Sequence, residues 1–346
     1  MSRMLAEIRQ QPAALERTLR TQLPRIERFR LKLEKRRPRL IVLVARGTSD
    51  NAAHFGRYLL EICTGIPVSL AAPSIYTLYE TEPILKDALV IGISQSGEST
   101  DTNMVLHHAR CQGALTVGIT NEPRSSMVKI AEQVFLVLAG KERSVAATKT
   151  YTGQVLLLYM LAHALGACFK SEDLYRLPQW VSSSIELQSE IRALSERYRF
   201  MDHAVVVGRG LNYSNAFEFA LKMKETCYVV AEGFSSADFL HGPIAMIEQA
   251  FPVFLFGPFG VTWPSMKEML ERLGKLKAET LLITDASNRQ GARKSTRLLQ
   301  IPARIPEIFS PIPYIVPAQM LCAFLAEQKG FDPDRPRTLS KVTKTL

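Results

Sequence analysis

Apolar side chains open the chain at helical spacing. Leu5, Ile8, Leu15, Leu19, Leu23, Ile26 and Phe29 recur at three- or four-residue steps. This predicts helix over residues 1–36, interrupted at Pro12 and Pro24. From residue 39 the pattern changes to short, nearly continuous apolar runs at 40–45, 88–93, 115–119 and 134–138, separated by amphipathic stretches. Runs of this kind are parallel strands covered by helices on both faces. A long apolar helix follows at about 152–165, and 169–200 reads as a polar, amphipathic connector. The strand pattern then restarts at 203–207, 252–256, 280–283 and 298–301, and an apolar helix over about 317–329 closes it.

The two halves share sequence as well as pattern. Residues 44–61 align with 207–225 after one inserted residue, pairing Arg46-Gly47 with Arg209-Gly210 and Asn51-Ala52 with Asn215-Ala216. Residues 115–121 align with 280–285. An internal duplication predicts two copies of one α/β unit. The expected division is an N-terminal helical segment (1–36), a first domain (37–168), a helical connector (169–200), a second domain (201–336) and a C-terminal tail (337–346). The copies differ after their second recognised strand. One reads Ser94-Gln95-Ser96-Gly97-Glu98-Ser99-Thr100-Asp101 and the other Phe256-Gly257-Pro258-Phe259-Gly260. Open α/β sheets bind ligands at the carboxyl ends of their strands, so the hydroxyl-bearing copy is the candidate binding loop.

Composition narrows the function. The 346 residues are 47% hydrophobic and 22% charged, an ordinary globular balance. The longest apolar runs fall well short of a bilayer span, and residues 1–10 carry no secretory pattern. The net charge of +10 is concentrated: residues 1–39 hold twelve Lys/Arg against four Glu. Without a helix-turn-helix or zinc-finger signature this basic stripe reads as a solvated helix face, and no nucleic-acid partner is expected. The five cysteines are scattered, with no metal-ligand spacing; they read as reduced thiols of a cytoplasmic protein.

The chemistry-bearing positions fall into two groups. Residues 94–102 pack five hydroxyls and a glycine between a strand and a helix expected to start near Asp101. Small side chains admit a ligand to the backbone N–H groups, and a helix N-terminus favours an anion. Gly47-Thr48-Ser49 repeats the device after the first strand. Alone, the serine run also reads as a helix cap in a polar turn; the two loops together point to a phosphate. No GxxxxGK[ST] loop occurs, and Tyr213 stands where a GxGxxG fingerprint needs its third glycine, which argues against nucleoside triphosphates and nicotinamide cofactors. In the second group, Glu225 lies three residues after Lys222 and shares its helix face. The pair reads as a proton-transfer couple or as a surface ion pair. His241 sits in a Leu-His-Gly-Pro loop, and residues 337–343 read as a frayed tail or an amine-bearing lid.

These motifs, in their order and spacing, resemble the sugar isomerase (SIS) double-domain family, which includes the isomerase module of glutamine–fructose-6-phosphate amidotransferase. The resemblance rests on residues 47–49, 94–99, 142–149, 220–225, 241–243 and 339–343. It implies two tandem SIS domains, each a flavodoxin-like three-layer αβα sandwich around a parallel sheet. It implies that Thr48, Ser49, Ser94, Gln95, Ser96 and Ser99 hold a sugar phosphate, with Gly47 and the backbone of Val145 and Ala146 lining the sugar. Glu225 becomes the base moving a proton between C1 and C2, supported by Lys222. His241 assists ring opening across a homodimer, and Lys341 meets the open-chain carbonyl. No metal or cofactor is implied. Arg46 replaces the amidotransferase's usual Cys, and Asp238 stands near its usual Glu. Residue 2 is Ser rather than a glutaminase nucleophile, so the expectation is a cytoplasmic glucosamine-6-phosphate deaminase. A fructosamine-6-phosphate deglycase, another SIS phosphosugar isomerase (a substituted galactosamine-phosphate enzyme, or one fed ammonia by a separate glutaminase) and a non-catalytic sugar-phosphate sensor remain open.

Overall fold

The structure, a computed structural model, describes residues 2–167 and 169–339. Two five-stranded parallel sheets carry the fold. β1 (Leu40–Val44), β2 (Val68–Leu70), β3 (Ala88–Ile93), β4 (Leu115–Thr120) and β5 (Gln133–Leu136) form the first, in the order β2-β1-β3-β4-β5. β6 (His203–Gly208), β7 (Val230–Ser235), β8 (Pro252–Phe256), β9 (Glu279–Asp285) and β10 (Arg297–Ile301) form the second, in the order β10-β9-β8-β6-β7. Counted within each copy, both follow the flavodoxin-like order 2-1-3-4-5. The duplication is therefore one of topology as well as sequence. The expected strands are all present; β2 and β7 are additional, and they occupy the same edge of the two sheets.

The chain divides into two compact units. One joins residues up to Pro12 with Arg143–Thr148 and Leu177–Leu339; the other joins Ala13–Glu142 with Lys149–Arg176. In the unit built on the first sheet, Val42, Val44 and Val90 pack against Val105, Leu106 and Ala109 of the Thr100–Cys111 helix. The Thr48–Thr64 and Lys149–Ala164 helices pack on each other, and the second is buried almost all round. In the other unit, Val205, Val253 and Leu255 pack against Met266, Met269 and Leu273 of the Trp263–Lys275 helix. Phe219 of the Tyr213–Lys222 helix meets Phe254 and Phe256 at ring-centroid distances of 5.2 and 6.1 Å. That helix lies against β7 so closely that a Cβ on Gly233 would come within 2.9 Å of the Ala216 backbone.

The N-terminal helices depart from expectation at one proline. The break falls at Gln10, between the helices Arg3–Arg9 and Gln11–Arg36, and Pro24 lies inside the second without ending it. Pro24 is on the exposed side, where water can take up the carbonyl it frees. Part of the basic charge of this helix has a structural use. Edge strand β5 is covered by Gln22, whose Oε1 accepts from Leu136 N, and by Arg25, which donates to the Val134 carbonyl. Arg17 and Thr18 extend the cover to the carbonyls of Leu138 and Val137. Polar side chains thus satisfy backbone groups that an open sheet edge leaves unpaired.

Candidate active site

The hydroxyl loops sit where the topology predicts, at the carboxyl ends of the paired neighbours β1 and β3. Gly47 turns the chain into the Thr48–Thr64 helix at φ 57°. Thr48 is half-buried; Ser49 is buried, and its Oγ accepts from Gln154 Nε2 at 2.9 Å. After β3, Ser94 Oγ accepts from Gly97 N at 3.1 Å and Ser96 Oγ from Glu98 N at 3.3 Å. Gln95 fixes the loop through its carbonyl, which accepts from Asn121 N and Thr120 Oγ1. Gly97 has φ 65°, and a Cβ there would lie 2.1 Å from Ser125 Oγ. Its carbonyl accepts from Asn103 Nδ2 at 3.0 Å and from Met127 N at 3.1 Å. Ser99 caps the Thr100–Cys111 helix, accepting from Thr102 N and Thr102 Oγ1 at 3.4 and 3.0 Å. The serine run is therefore both a helix cap and a ring of small polar groups at a helix N-terminus. Glu98 turns away from it, accepting from Ser126 N and Oγ at 2.9 and 2.7 Å.

Two charged groups near these loops had no role in the pattern reading. Arg46 Nε and Nη2 donate to Asp101 Oδ2 at 2.8 and 2.6 Å, which holds a half-exposed guanidinium against a buried carboxylate in the first helical turn. Asp50, in the first turn of the Thr48–Thr64 helix, has its carboxyl pushed above the usual range by burial, with His54 and Arg46 acting against the rise. Burial likewise pushes the His54 imidazole down.

The carboxylate–amine pair lies in the other unit. The Tyr213–Lys222 helix widens into a π-turn over Met223–Cys227 before Tyr228 ends it at φ 54°. Lys222 is 1% exposed, and its Nζ lies 2.5 Å from Glu225 Oε2 and 3.5 Å from Glu218 Oε1. The side chain of Glu225 is 22% exposed, whereas that of Glu218 is fully buried. This is a buried ammonium between two carboxylates, one of them open to solvent, and not a surface ion pair. The sequence reading omitted Glu218, although its place one helical turn before Lys222 was the available signal. Single-turn π segments of this kind recur at functional sites.

The remaining positions are dispersed. Ala146 is buried and Val145 half-buried, in the Arg143–Thr148 segment assigned to the same unit as Glu225. His241 is exposed and ends the Ser236–Leu240 helix, its N–H donating to the Asp238 carbonyl at 3.1 Å. Lys341 lies outside the described residues. Among the described residues no group of three or more His, Cys, Asp or Glu could hold a metal ion, and no helix is long and apolar enough to cross a membrane.

Comparison with known proteins agrees with the fold. The SIS domain model matches residues 34–164 and 199–327, one match for each sheet. Glutamine–fructose-6-phosphate aminotransferase [isomerizing] of Pyrococcus horikoshii is 36% identical over 349 residues, covering 98% of this chain and 57% of that protein. The protein of the same name from Aquifex aeolicus is 33% identical over 343 residues, with the same coverage. The chain thus spans little more than half the length of these curated relatives. The C-terminal domain of glucosamine-fructose-6-phosphate aminotransferase from Francisella tularensis superposes with a TM-score of 0.88 at 28% identity, over 97% of this chain and 98% of that one.

Proposed function

The chain belongs to the SIS domain family, and from that premise we propose that it interconverts glucosamine 6-phosphate with fructose 6-phosphate and ammonia. The observation that carries the reading is the Glu218–Lys222–Glu225 cluster. An aldose–ketose shift needs one base that reaches both C1 and C2. Glu225 has the exposure to meet a substrate, and Lys222 holds it through Oε2, leaving Oε1 to take a proton. In the open-chain amino sugar, Glu225 removes the C2 proton as the C1 oxygen takes one up, giving an enolamine, and returns a proton to C1 as the amine nitrogen gives one up. The product is the 2-imine of fructose 6-phosphate, which water hydrolyses to the ketose and ammonia. The same groups serve the reverse direction with added ammonium.

The hydroxyl loops after β1 and β3 suit the 6-phosphate: small side chains, a helix N-terminus and the Arg46 guanidinium gather there. In this reading Val145 and Ala146 meet the sugar through their backbone. His241, exposed on the Ser236–Leu240 turn, serves ring opening in the partner copy of a homodimer, and Lys341 brings an amine to the open-chain carbonyl. The names of the relatives, aminotransferases of the isomerising type, support the substrate class. The test is ammonia release from glucosamine 6-phosphate, with fructose 6-phosphate followed in parallel. Stoichiometric formation of both is expected; if neither forms in either direction from these substrates, the assignment is wrong.

A further inference from the structure

The N-terminal helix makes a connection that the pattern of apolar positions does not announce. Its Glu7 is 5% exposed, and its two carboxylate oxygens accept from successive backbone groups, Arg143 N at 2.6 Å and Ser144 N at 3.1 Å. At the far end of the same segment, the Thr148 carbonyl accepts from Gln319 Nε2 at 3.4 Å. Gln319 in turn accepts from Gln11 Nε2 at 2.8 Å, and both glutamines are fully buried. The six residues 143–148 are therefore tied at each end by buried polar side chains, two of which come from the first eleven residues of the chain.

The helix that carries Glu7 is itself pinned. The Asp334 carboxylate accepts from Arg3 N and Met4 N at 2.6 and 2.8 Å, and Met4, Leu5 and Ile8 are buried. Burying a carboxylate is costly unless it is hydrogen-bonded, and an apolar residue at position 7 would serve packing alone. Two adjacent N–H groups aimed at one carboxylate fix the direction of the chain as it enters Val145 and Ala146.

We propose that Glu7, supported by Gln11 through Gln319, is a positioning residue that holds the Val145–Ala146 backbone in register for the sugar. The proposal rests on the sugar-phosphate reading above. It makes the helix Arg3–Arg9 part of the recognition apparatus.

The test compares two probes on the full chain by calorimetry: fructose 6-phosphate, which engages the sugar-facing backbone, and inorganic phosphate, which does not. Glu7→Gln keeps the shape and turns one acceptor into a donor facing an N–H. It should weaken fructose 6-phosphate by about tenfold or more and inorganic phosphate by less than about twofold. Gln11→Leu acts on the other end of the segment, so it tests the same proposal should the first variant fold poorly. It should shift the ratio of the two affinities in the same direction by about threefold. Equal losses for both probes, or no loss for either, would overturn the proposal, because a purely structural role moves the two together. A wild-type chain that binds fructose 6-phosphate no better than inorganic phosphate would overturn the sugar-phosphate reading itself, and the proposal with it.

Discussion

Glu225→Gln separates chemistry from architecture at the centre of the proposed reaction. The substitution keeps the side-chain shape and removes its basicity. Lys222 still has Glu218 at 3.5 Å, so its ammonium stays compensated. The structural loss is one charge-assisted hydrogen bond, 2.5 Å long in the wild type, replaced by one to a neutral amide oxygen. That is worth about 1 kcal/mol, or a fall in Tm of about 2–4 °C for a body of roughly 150–250 residues. The chemical loss is far larger, because a positioned general base contributes about 10²–10⁴ in rate, or about 3–5 kcal/mol of barrier. Lys222→Met is the contrasting perturbation. It takes the ammonium away from the fully buried Glu218 and should cost about 3–5 kcal/mol of stability. Three measurements are needed on each variant: fructose 6-phosphate formation, equilibrium binding of fructose 6-phosphate, and thermal unfolding. The reasoning is refuted if Glu225→Gln keeps more than about a tenth of wild-type kcat. It is equally refuted if binding falls as far as turnover, since the residue would then be holding the sugar and not moving a proton.

Gly97→Ala combines a left-handed φ of 65° with a Cβ 2.1 Å from Ser125 Oγ. It should distort the serine loop and weaken inorganic phosphate by about tenfold or more; calorimetry showing wild-type affinity would place the phosphate elsewhere. Ser96→Ala should raise KM several-fold and leave kcat within about twofold, the signature of uniform binding lost; steady-state kinetics with kcat falling alone would contradict it. Burial lowers the His54 pKa. The unfolded chain therefore takes up a proton that the folded state resists, and stability is lost as pH falls below about 6.5 and on through the folded pKa. Asp50, raised by burial, works in the opposite sense, its contribution growing towards acid. His54→Gln should thus flatten the fall in Tm between about pH 7.5 and about pH 5.5; an unchanged slope would assign the dependence to another group.

The central strands were legible because each is buried on both faces and so reads as an unbroken apolar run; β3 is buried at all six positions. The two strands the pattern missed fail that condition for a shared reason. β2 is three residues long, and β7 carries Glu232 and Gly233 in a run only two of whose six positions are buried. Both lie at the sheet edge next to the first strand of their copy, where one side of the ladder has no neighbour. Candidate-site residues were legible where they were contiguous, as in residues 94–99. Those defined by burial were not. Glu218 and Glu7 are carboxylates on helices, where sequence alone favours a solvated reading; the tertiary fold shows that both are buried, and that two backbone N–H groups meet Glu7, whereas the Lys222 ammonium one turn after Glu218 was a local signal. The π-turn at Met223–Cys227 has no marker in residue type, and the hydrophobic spacing that identifies a helix does not distinguish it.

The two copies differ at the turn where the proposed phosphate would sit. Each places a loop after its third strand in chain order and then a helix, so each has an N-terminus with N–H groups to satisfy. In the second copy the protein answers with its own carboxylate. Glu307 accepts from Thr262 N at 3.2 and 3.4 Å and from Thr262 Oγ1 at 2.5 Å, at the start of the Trp263–Lys275 helix. It lies so near Gly260 that a Cβ there would come within 2.0 Å of Glu307 Oε2. The Gly257 carbonyl is fixed as well, by Thr284 Oγ1 and Asn288 Nδ2. A phosphate would have to displace a carboxylate of like charge to bind at that turn. In the first copy Glu98 caps the Ser126–Ile130 helix instead, the turn into Thr100–Cys111 is capped by the neutral hydroxyl of Ser99, and the carboxylate of that helix's first turn, Asp101, is paired with Arg46. A neutral cap puts no carboxylate at the turn itself, and the Arg46 guanidinium offsets the charge of Asp101 in the first helical turn. The duplicated fold therefore repeats the same loop-to-helix turn, and in the second copy the Glu307 carboxylate already occupies it.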